Sequence, residues 1–409
     1  MEYTGKSIAG IVSNAEGINV IFETGKGGRK GVMTVVVASR GYPSEKYPLN
    51  GIFEYDQAKA LAAAGHRVIF AAADLRSLRR WRRWGRQSLR ADGMAIETMD
   101  FPGGRLPERW MDWLYLRSFK RLYRAIRKKY GVPDIVHAHF PVISYAAVRC
   151  FLPLEIPVVV TEHYSDIIEH KLTPVQRRKM SFAYSRAAQV IAVSRPLADA
   201  ILSDFSAAAE VVPNIVDTGI FQYTPAAGKS PFVFCVTGNL KKSKRIGLAI
   251  RAFALLDRRR QPCQLRIFGD GPEREALRGL VKELRIEDAV TFYGRCLREE
   301  LAEQYTGAHC FILLSAFETF GVVYIEAMAA GLPVIATRCG GPEDFVEPEN
   351  GMLLPADCTA ADAAAAMADM MDRYEQYDRQ RIAEKTAERF SPENVAGLIT
   401  EIYKKVLGK

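Results

Sequence analysis

Two glutamates stand eight positions apart around a glycine in FETFGVVYIEAMAAGLPVIAT, residues 317–337. The apolar run CFILLS before them reads as a buried strand. Residues 322–330 read as a helix, with Gly331 as its C-cap, Pro333 forbidding continuation and PVIAT returning to a strand. The unit is strand, loop, helix, strand, as in a parallel α/β sheet. Glu318 falls in the loop at the carboxyl end of a strand and Glu326 one turn inside the next helix, on the edge where doubly wound sheets bind ligands. Free N–H groups at a helix N-terminus suit phosphate, while a carboxylate repels phosphate and accepts from sugar hydroxyls. The pattern therefore suggests a ligand carrying both groups. Spacing alone equally allows Glu318 as a solvated loop residue and Glu326 as a helix-surface acid.

Other residues invite similar double readings. VTGNLKKSKRIG runs a strand into a glycine turn at Gly238 and Asn239 and then into lysines. Lys244, just before a helix, could neutralise a phosphate, or the turn could be merely solvated and basic. IFGDGPER has Gly269 and Gly271 but Arg274 in the third glycine position of a dinucleotide fingerprint, so a tight turn is the expectation. His163 ends the strand of VVVTEH, where an imidazole binds a hydroxyl or serves as a buried, hydrogen-bonded structural residue. His137 and His139 in VHAHF are read as pointing to opposite faces of one strand, so no metal site is expected there. Gly51 opens a helix in KYPLNGIFEYDQAKAL and permits close backbone approach by a ligand, or forms an ordinary turn after Asn50.

The elements that must position these residues alternate along the chain. VMTVVVASRG, HRVIFAAAD, DIVHAHF, IPVVVTEH and QVIAVS read as strands in the first half, and FVFCVTGNL, CQLRIFGDG, VTFYGR, CFILLS and PVIAT in the second, with helices between. Two parallel α/β domains are expected, at residues 32–213 and 214–391, with a linker near 214–231. A final helix at 392–409 is expected to return to the first domain. Residues 1–31 have no long apolar core and read as a poorly ordered leader, dispensable up to Met33. The 409 residues are 48% hydrophobic and 25% charged, the composition of a globular protein, without an apolar stretch long enough to span a membrane. Seven scattered cysteines without CxxC spacing argue for a reducing cytoplasm and against structural zinc.

The net charge of +9 is uneven: residues 75–131 carry +11 and the remainder −2. All four tryptophans (Trp81, Trp84, Trp110, Trp113) lie in that segment. LRSLRRWRRWGRQSLR and RWMDWLYLRSFKRLYRAIRKKYG mix basic, aromatic and apolar residues at helical spacing. Three readings stay open: an interfacial face on an anionic membrane, a nucleic-acid surface, or two amphipathic helices packed on a sheet with solvated arginines.

Taken in order, GIFEYDQAKALAAAGH, DIVHAHF, VVVTEH, VIAVS, VVPNIVD, GNLKKSKR, IFGDGPER, VTFYGR, the pair Glu318 and Glu326, and NGMLLP resemble the retaining glycosyltransferases of family 4 over residues 32–409. The resemblance implies the GT-B fold, two facing Rossmann-like domains with the active site in the interdomain cleft, the first binding acceptor and the second a nucleotide-sugar. It implies that Glu326 binds the ribose hydroxyls, and that Glu318 with Thr319, Phe320 and Gly321 holds the donor sugar and phosphate. Lys244 would neutralise the diphosphate beside Gly238 and Asn239. Gly51 would approach it from the other domain, and His163 would lie near the reacting carbon and the acceptor. Arg295 and Cys296 would flank the base through their backbone.

Two departures stand out: the family's GRL turn is GNL here, leaving Lys241, Lys242 or Arg245 to supply the second cation, and PNGVD is PNIVD, with Ile215 for glycine. The resemblance further implies hexosyl transfer with retention, no metal or other cofactor, and a role for Glu318 in positioning and charge stabilisation rather than as a covalent nucleophile. The expected donor is a UDP- or GDP-sugar. The expected acceptor is a glycan or lipid-linked molecule in cell-surface polysaccharide synthesis. The enzyme would be cytoplasmic and peripheral at the inner face of the membrane through residues 75–131, with no nucleic-acid partner. The rival readings are a sugar-nucleotide epimerase of related fold and a non-enzymatic nucleic-acid or membrane binder using the basic segment.

Overall fold

The computed structural model describes residues 31–44, 47–76, 83–103, 106–225, 230–259 and 261–409. The expected leader, save its last residue, and the stretch 77–82 with Trp81 lie outside them.

The first lobe runs β1 (Thr34–Ser39), α1 (Ile52–Ala63), β2 (Arg67–Arg76), β3 (Gly85–Ala91), β4 (Met94–Pro102), α2 (Glu108–Tyr130), β5 (Ile135–His139), α3 (Pro141–Phe151), β6 (Val158–Glu162), α4 (Pro174–Tyr184), β7 (Gln189–Ala192), α5 (Arg195–Phe205) and β8 (Ala209–Val211). Its sheet has the order β3-β4-β2-β1-β5-β6-β7-β8, parallel except for β3. Central strands such as TVVVAS and VVVTE are buried on both faces, which is why they read as unbroken apolar runs.

The second lobe runs β9 (Phe232–Thr237), α6 (Ile246–Ala254), β10 (Cys263–Phe268), α7 (Arg274–Glu283), β11 (Val290–Gly294), α8 (Arg298–Thr306), β12 (Cys310–Leu313), α9 (Val322–Ala329), β13 (Val334–Thr337), β14 (Gly351–Leu354), α10 (Ala360–Asp372) and α11 (Arg379–Phe390). Its sheet is wholly parallel, in the order β11-β10-β9-β12-β13-β14. The molecule is thus built of two Rossmann-like domains.

The last helix, α12 (Pro392–Leu407), leaves the second lobe and packs on α1 of the first. Val395, Ala396, Ile399, Ile402 and Tyr403 share one buried cluster with Ala58, Leu61, Val35, Val37 and Phe70. Polar bonds fix the same contact: Tyr403 OH lies 2.6 Å from His137 Nδ1, and Thr400 Oγ1 2.9 Å from His66 Nε2. Ile215, where the family pattern has glycine, is buried in this cluster. Its β-branched side chain therefore serves as core.

One expectation fails. The LRSLRRWRRWGRQSLR stretch is not helical where it is described: residues 85–91 form the antiparallel edge strand β3 on β4. The reason is the turn. Asp92 and Gly93 both adopt positive φ, 49° and 74°, as a two-residue type I′ hairpin demands. Glu97 of β4 then locks the edge. Burial pushes its carboxyl up, but bonds from Ser88, Arg86, Tyr130 and Lys129 outweigh that and hold it below the ordinary value. The second basic stretch is a helix, α2, burying Tyr115, Phe119, Leu122, Tyr123 and Ile126. All seven cysteines are unpaired. No helix of the described residues is long and apolar enough to cross a membrane.

Ile399, 1% exposed in the cluster beneath α12, tests how firmly this helix belongs to the first lobe. Ile399→Ala should lower unfolding stability by about 3 kcal/mol through lost burial and a residual cavity, read from the urea midpoint at constant m-value.

Candidate active site

The carboxyl end of the second lobe's sheet gathers the acidic and basic residues. β12 runs into a loop through Ser315 and Glu318 to Gly321, whose φ of 93° opens α9. A side chain at Gly321 would strike the ring of Tyr324 at 2.7 Å, so the loop can enter the helix this tightly only with glycine. Glu318 is 7% exposed and Glu326 6%, so neither is a solvated surface acid. Ser315 Oγ donates to Glu318 Oε1 at 2.8 Å, and Lys244 Nζ donates to the same oxygen at 2.5 Å. A second backbone tie holds the loops together, Ala316 N to Ser243 O at 2.8 Å. Lys244 therefore reaches Glu318 from a separate loop, and sequence spacing could not have paired them.

Glu326 lies one turn inside α9, its carboxylate 3.6 Å from the Arg298 guanidinium. Burial drives its pKa up to about 7; Arg298 opposes this, and Asp56 adds to it. Arg298 also donates to Asp56 of the first lobe at 2.9 Å. Arg298 and Asp56 were not singled out from the sequence, where they stand far apart among ordinary helical charges.

Within the loop, Phe320 is core: it is 3% exposed and packs against Phe345 and Phe390. Only its backbone faces the site's chemistry. The Thr319 carbonyl accepts from Ser194 Oγ of the first lobe at 2.6 Å, and Asp344 accepts from the Arg195 N–H at the start of α5 at 2.6 Å. The two sheet edges are thus bonded directly.

The GNL turn rests on the GDG turn. A Cβ at Gly269, whose φ is 129°, would lie 1.9 Å from the Gly238 carbonyl oxygen, and one at Gly271 would lie 2.5 Å from Leu240 O. Both glycines are there for backbone packing. Asn239 and Lys241 are exposed, Lys242 also, and Arg245 donates to the carbonyls of Ala356 and Cys358. Arg295 is largely exposed, 3.7 Å from Asp270, and Cys296 is half-buried beside Gly294. Gly51 is left-handed, φ 71°, and its close neighbour is the Gly41 carbonyl, 2.3 Å from where a Cβ would stand.

In the first lobe, His163 Nε2 lies 3.1 Å from His139 Nδ1, and its ring stacks against Phe53. His137 and His139 do not point to opposite faces. Residues two apart on a strand share a face, and their rings stack at 4.4 Å between centroids. Among the described residues no group of three or more His, Cys, Asp or Glu is placed to hold a metal ion. Arg40 lies over the Phe140 ring at 3.8 Å. Burial, and then the Arg40 charge, push the His163 pKa down to about 3. Glu162 accepts from the His163 and Tyr164 N–H groups and from Tyr184 OH, with burial raising it to about 7.

Two family models match the chain, Glycosyltransferase Family 4 over residues 53–219 and Glycosyl transferases group 1 over residues 221–389. The chain is 30% identical over 292 residues to the N-acetyl-alpha-D-glucosaminyl L-malate synthase of Bacillus anthracis, covering 67% of this chain and 75% of that one. Among solved structures it is similar to sucrose-phosphate synthase from Thermosynechococcus elongatus, with TM-score 0.75 and 22% identity over 92% of this chain and 99% of that one. It is also similar to Anabaena HepE in complex with UDP-glucose, with TM-score 0.69 and 17% identity over 91% and 100%.

With its pKa near 3, His163 stays neutral throughout the physiological range. Its imidazole 15N shifts should not titrate between about pH 5 and about pH 8, the window in which an ordinary histidine does; a midpoint inside that window would contradict the burial argument.

Proposed function

The chain belongs to glycosyltransferase family 4 and is a GT-B glycosyltransferase, and from that premise we propose that it moves a hexosyl group from a UDP- or GDP-sugar to a glycan or lipid-linked acceptor, with retention at the anomeric carbon and without a metal. The observation that carries the reading is the placing of two buried carboxylates at either end of one loop, with Lys244 on the first. Glu326 offers acceptor oxygens to the ribose hydroxyls. Glu318 and the backbone of Thr319, Phe320 and Gly321 hold the sugar and phosphate. The N–H groups at the start of α9 meet the diphosphate oxygens.

Bond cleavage leaves negative charge on the nucleoside diphosphate. Lys244, partly buried against Glu318, supplies positive charge to meet it, with Lys241, Lys242 and Arg245 near the GNL turn adding to the positive field. Asn239 lends a neutral amide to the same turn. Gly238 lets the turn approach the donor, and Gly51 brings the first lobe's loop to the opposite side. Arg295 and Cys296 flank the base by their backbone. His163, neutral and fixed by His139, serves as a hydrogen-bonding partner to the sugar or acceptor rather than as a cation. The UDP-glucose complex of Anabaena HepE supports a nucleotide-sugar donor for this fold. Both family models concern glycosyl transfer, which favours transfer over an epimerase or a nucleic-acid binder.

The acceptor side carries a membrane reading. Leu106, Trp110 and Trp113 are exposed, the two indoles meeting edge to face at 6.3 Å. Arg117, Lys120, Arg121, Arg124, Arg127 and Lys128 continue the exposed face of α2. An apolar aromatic end followed by a basic stripe fits an anionic bilayer, with indoles at the headgroup level and cations on lipid phosphates. Held in this way the enzyme would work at the inner face of the cell membrane, and the role we propose for it there is in cell-surface polysaccharide synthesis.

Binding, turnover, chelation and product stereochemistry check the reading. Glu326→Gln should weaken nucleotide binding about tenfold, and Lys244→Ala should slow transfer roughly 100-fold. Activity should survive EDTA, and the product's anomeric coupling should match the donor's. Unchanged binding and turnover in both variants would remove the site assignment. Separately, the protein should sediment with phosphatidylglycerol vesicles and not with phosphatidylcholine ones. That binding should fall with salt and with the Trp110→Ala, Trp113→Ala pair, whereas equal binding to both vesicle types would exclude the charge mechanism.

A further inference from the structure

We propose that Arg298 is a donor-positioning residue: held by Asp56 of the first lobe, its guanidinium keeps Glu326 of the second in the carboxylate form that takes the ribose hydroxyls. The proposal rests on the reading of Glu326 as the ribose acceptor. Arg298 opens α8 in the second lobe, and Asp56 lies in α1 of the first. One edge of the guanidinium donates from Nη1 to Asp56 Oδ2 at 2.9 Å, and Nε lies 3.6 Å from Glu326 Oε1. All three side chains are at most 15% exposed. A planar fork can address two carboxylates at once, which a lysine cannot do with the same geometry.

The two contacts differ in kind. The bond to Asp56 is short and charge-assisted. The approach to Glu326 is a charge contact too long for a hydrogen bond. Arg298 thus favours the carboxylate form of Glu326 without using up the lone pairs that hydroxyls need. Asp56 fixes the other end of the guanidinium.

The groups facing Glu326 are Arg298 and Tyr305 from α8 and Asp56 from α1, with Lys59 of α1 and Asp217 of the interlobe segment acting on Asp56 behind them. Burial and Asp56 raise the Glu326 pKa, and Arg298 lowers it. Removing the Arg298 charge must therefore raise the pH below which ribose affinity is lost. Removing the Asp56 charge must lower it. A purely structural role for Arg298 would not give opposite signs.

The test measures, by calorimetry from about pH 5 to about pH 9, the affinity of the full chain for UDP, GDP and ADP and for their 2′,3′-dideoxy counterparts. For whichever base binds, Arg298→Gln should weaken the ribonucleotide about tenfold at neutral pH and leave the dideoxy nucleotide unchanged. Its loss of affinity on acidification should begin about one pH unit higher, Asp56→Asn should shift that loss to lower pH, and Arg298→Lys, which keeps the charge but not the fork, should return the pH midpoint part of the way and leave the affinity below that of the native chain. An unaltered Arg298→Gln profile, or an equal loss for the dideoxy nucleotide, overturns the proposal while Glu326→Gln still weakens binding. If Glu326→Gln also has no effect, the donor-site reading itself falls. Should Arg298→Gln not fold, Asp56→Asn carries the test alone: a downward shift supports the charge balance set on Glu326 and an unmoved midpoint overturns it.

Discussion

Carboxylates taken out of water are the constraint around which this molecule is arranged. Burying an ionised carboxyl is costly unless a cation or donors meet it. Glu318 is met by Lys244 and Ser315, Glu326 by Arg298, and Glu162 by two backbone N–H groups and a tyrosine. Each partner comes from a different element than the acid, save the short-range contacts of Ser315 and the amides. The loops at the carboxyl ends of both sheets must therefore converge, and the parallel βα repeat is the architecture that places them on one edge.

Convergence also needs backbones that can touch. The second lobe achieves this where Gly269 and Gly271 let the turn after β10 lie against Gly238 and Leu240. The lysine-bearing loop between β9 and α6 is held by these contacts and by the Ala316 to Ser243 bond. A cation at the end of a flexible stem is thereby aimed by rigid main chain. The same turn could be mistaken for a dinucleotide fingerprint, but its glycines face the chain itself.

Much of this was legible in the sequence because it is written in local patterns. The doubly buried strands announce themselves as apolar runs, Gly331 and Pro333 mark where α9 stops, and the family resemblance orders the motifs into two Rossmann-like domains. What was illegible was of two kinds. The β3–β4 hairpin was obscured by arginines at helical spacing, although Asp92-Gly93 carried the turn signal. His137 and His139 stand one full strand period apart and therefore share a face, against the opposite-face expectation, which the spacing itself already excluded. Lys244 with Glu318, and Arg298 with Asp56, are long-range encounters that no window of sequence contains. Phe320 falls in the loop between the two glutamates, but the pattern could not tell that its ring faces the aromatic core.

The return of α12 to the first lobe has a mechanical consequence. The second lobe is, in chain terms, an insertion into the first, entered near Val216 and left near Phe390. The two crossings run side by side and are bonded to each other, Val216 N to Phe390 O at 2.9 Å. A single tether would let the halves swivel freely. Two parallel straps stitched together behave as a door hinge: bending about the line they share is cheap, while twisting and sliding must break the stitch or drag α12 out of its bed. The surfaces that meet between the lobes, Ser194 with Thr319 and Asp56 with Arg298, are thereby held in one register.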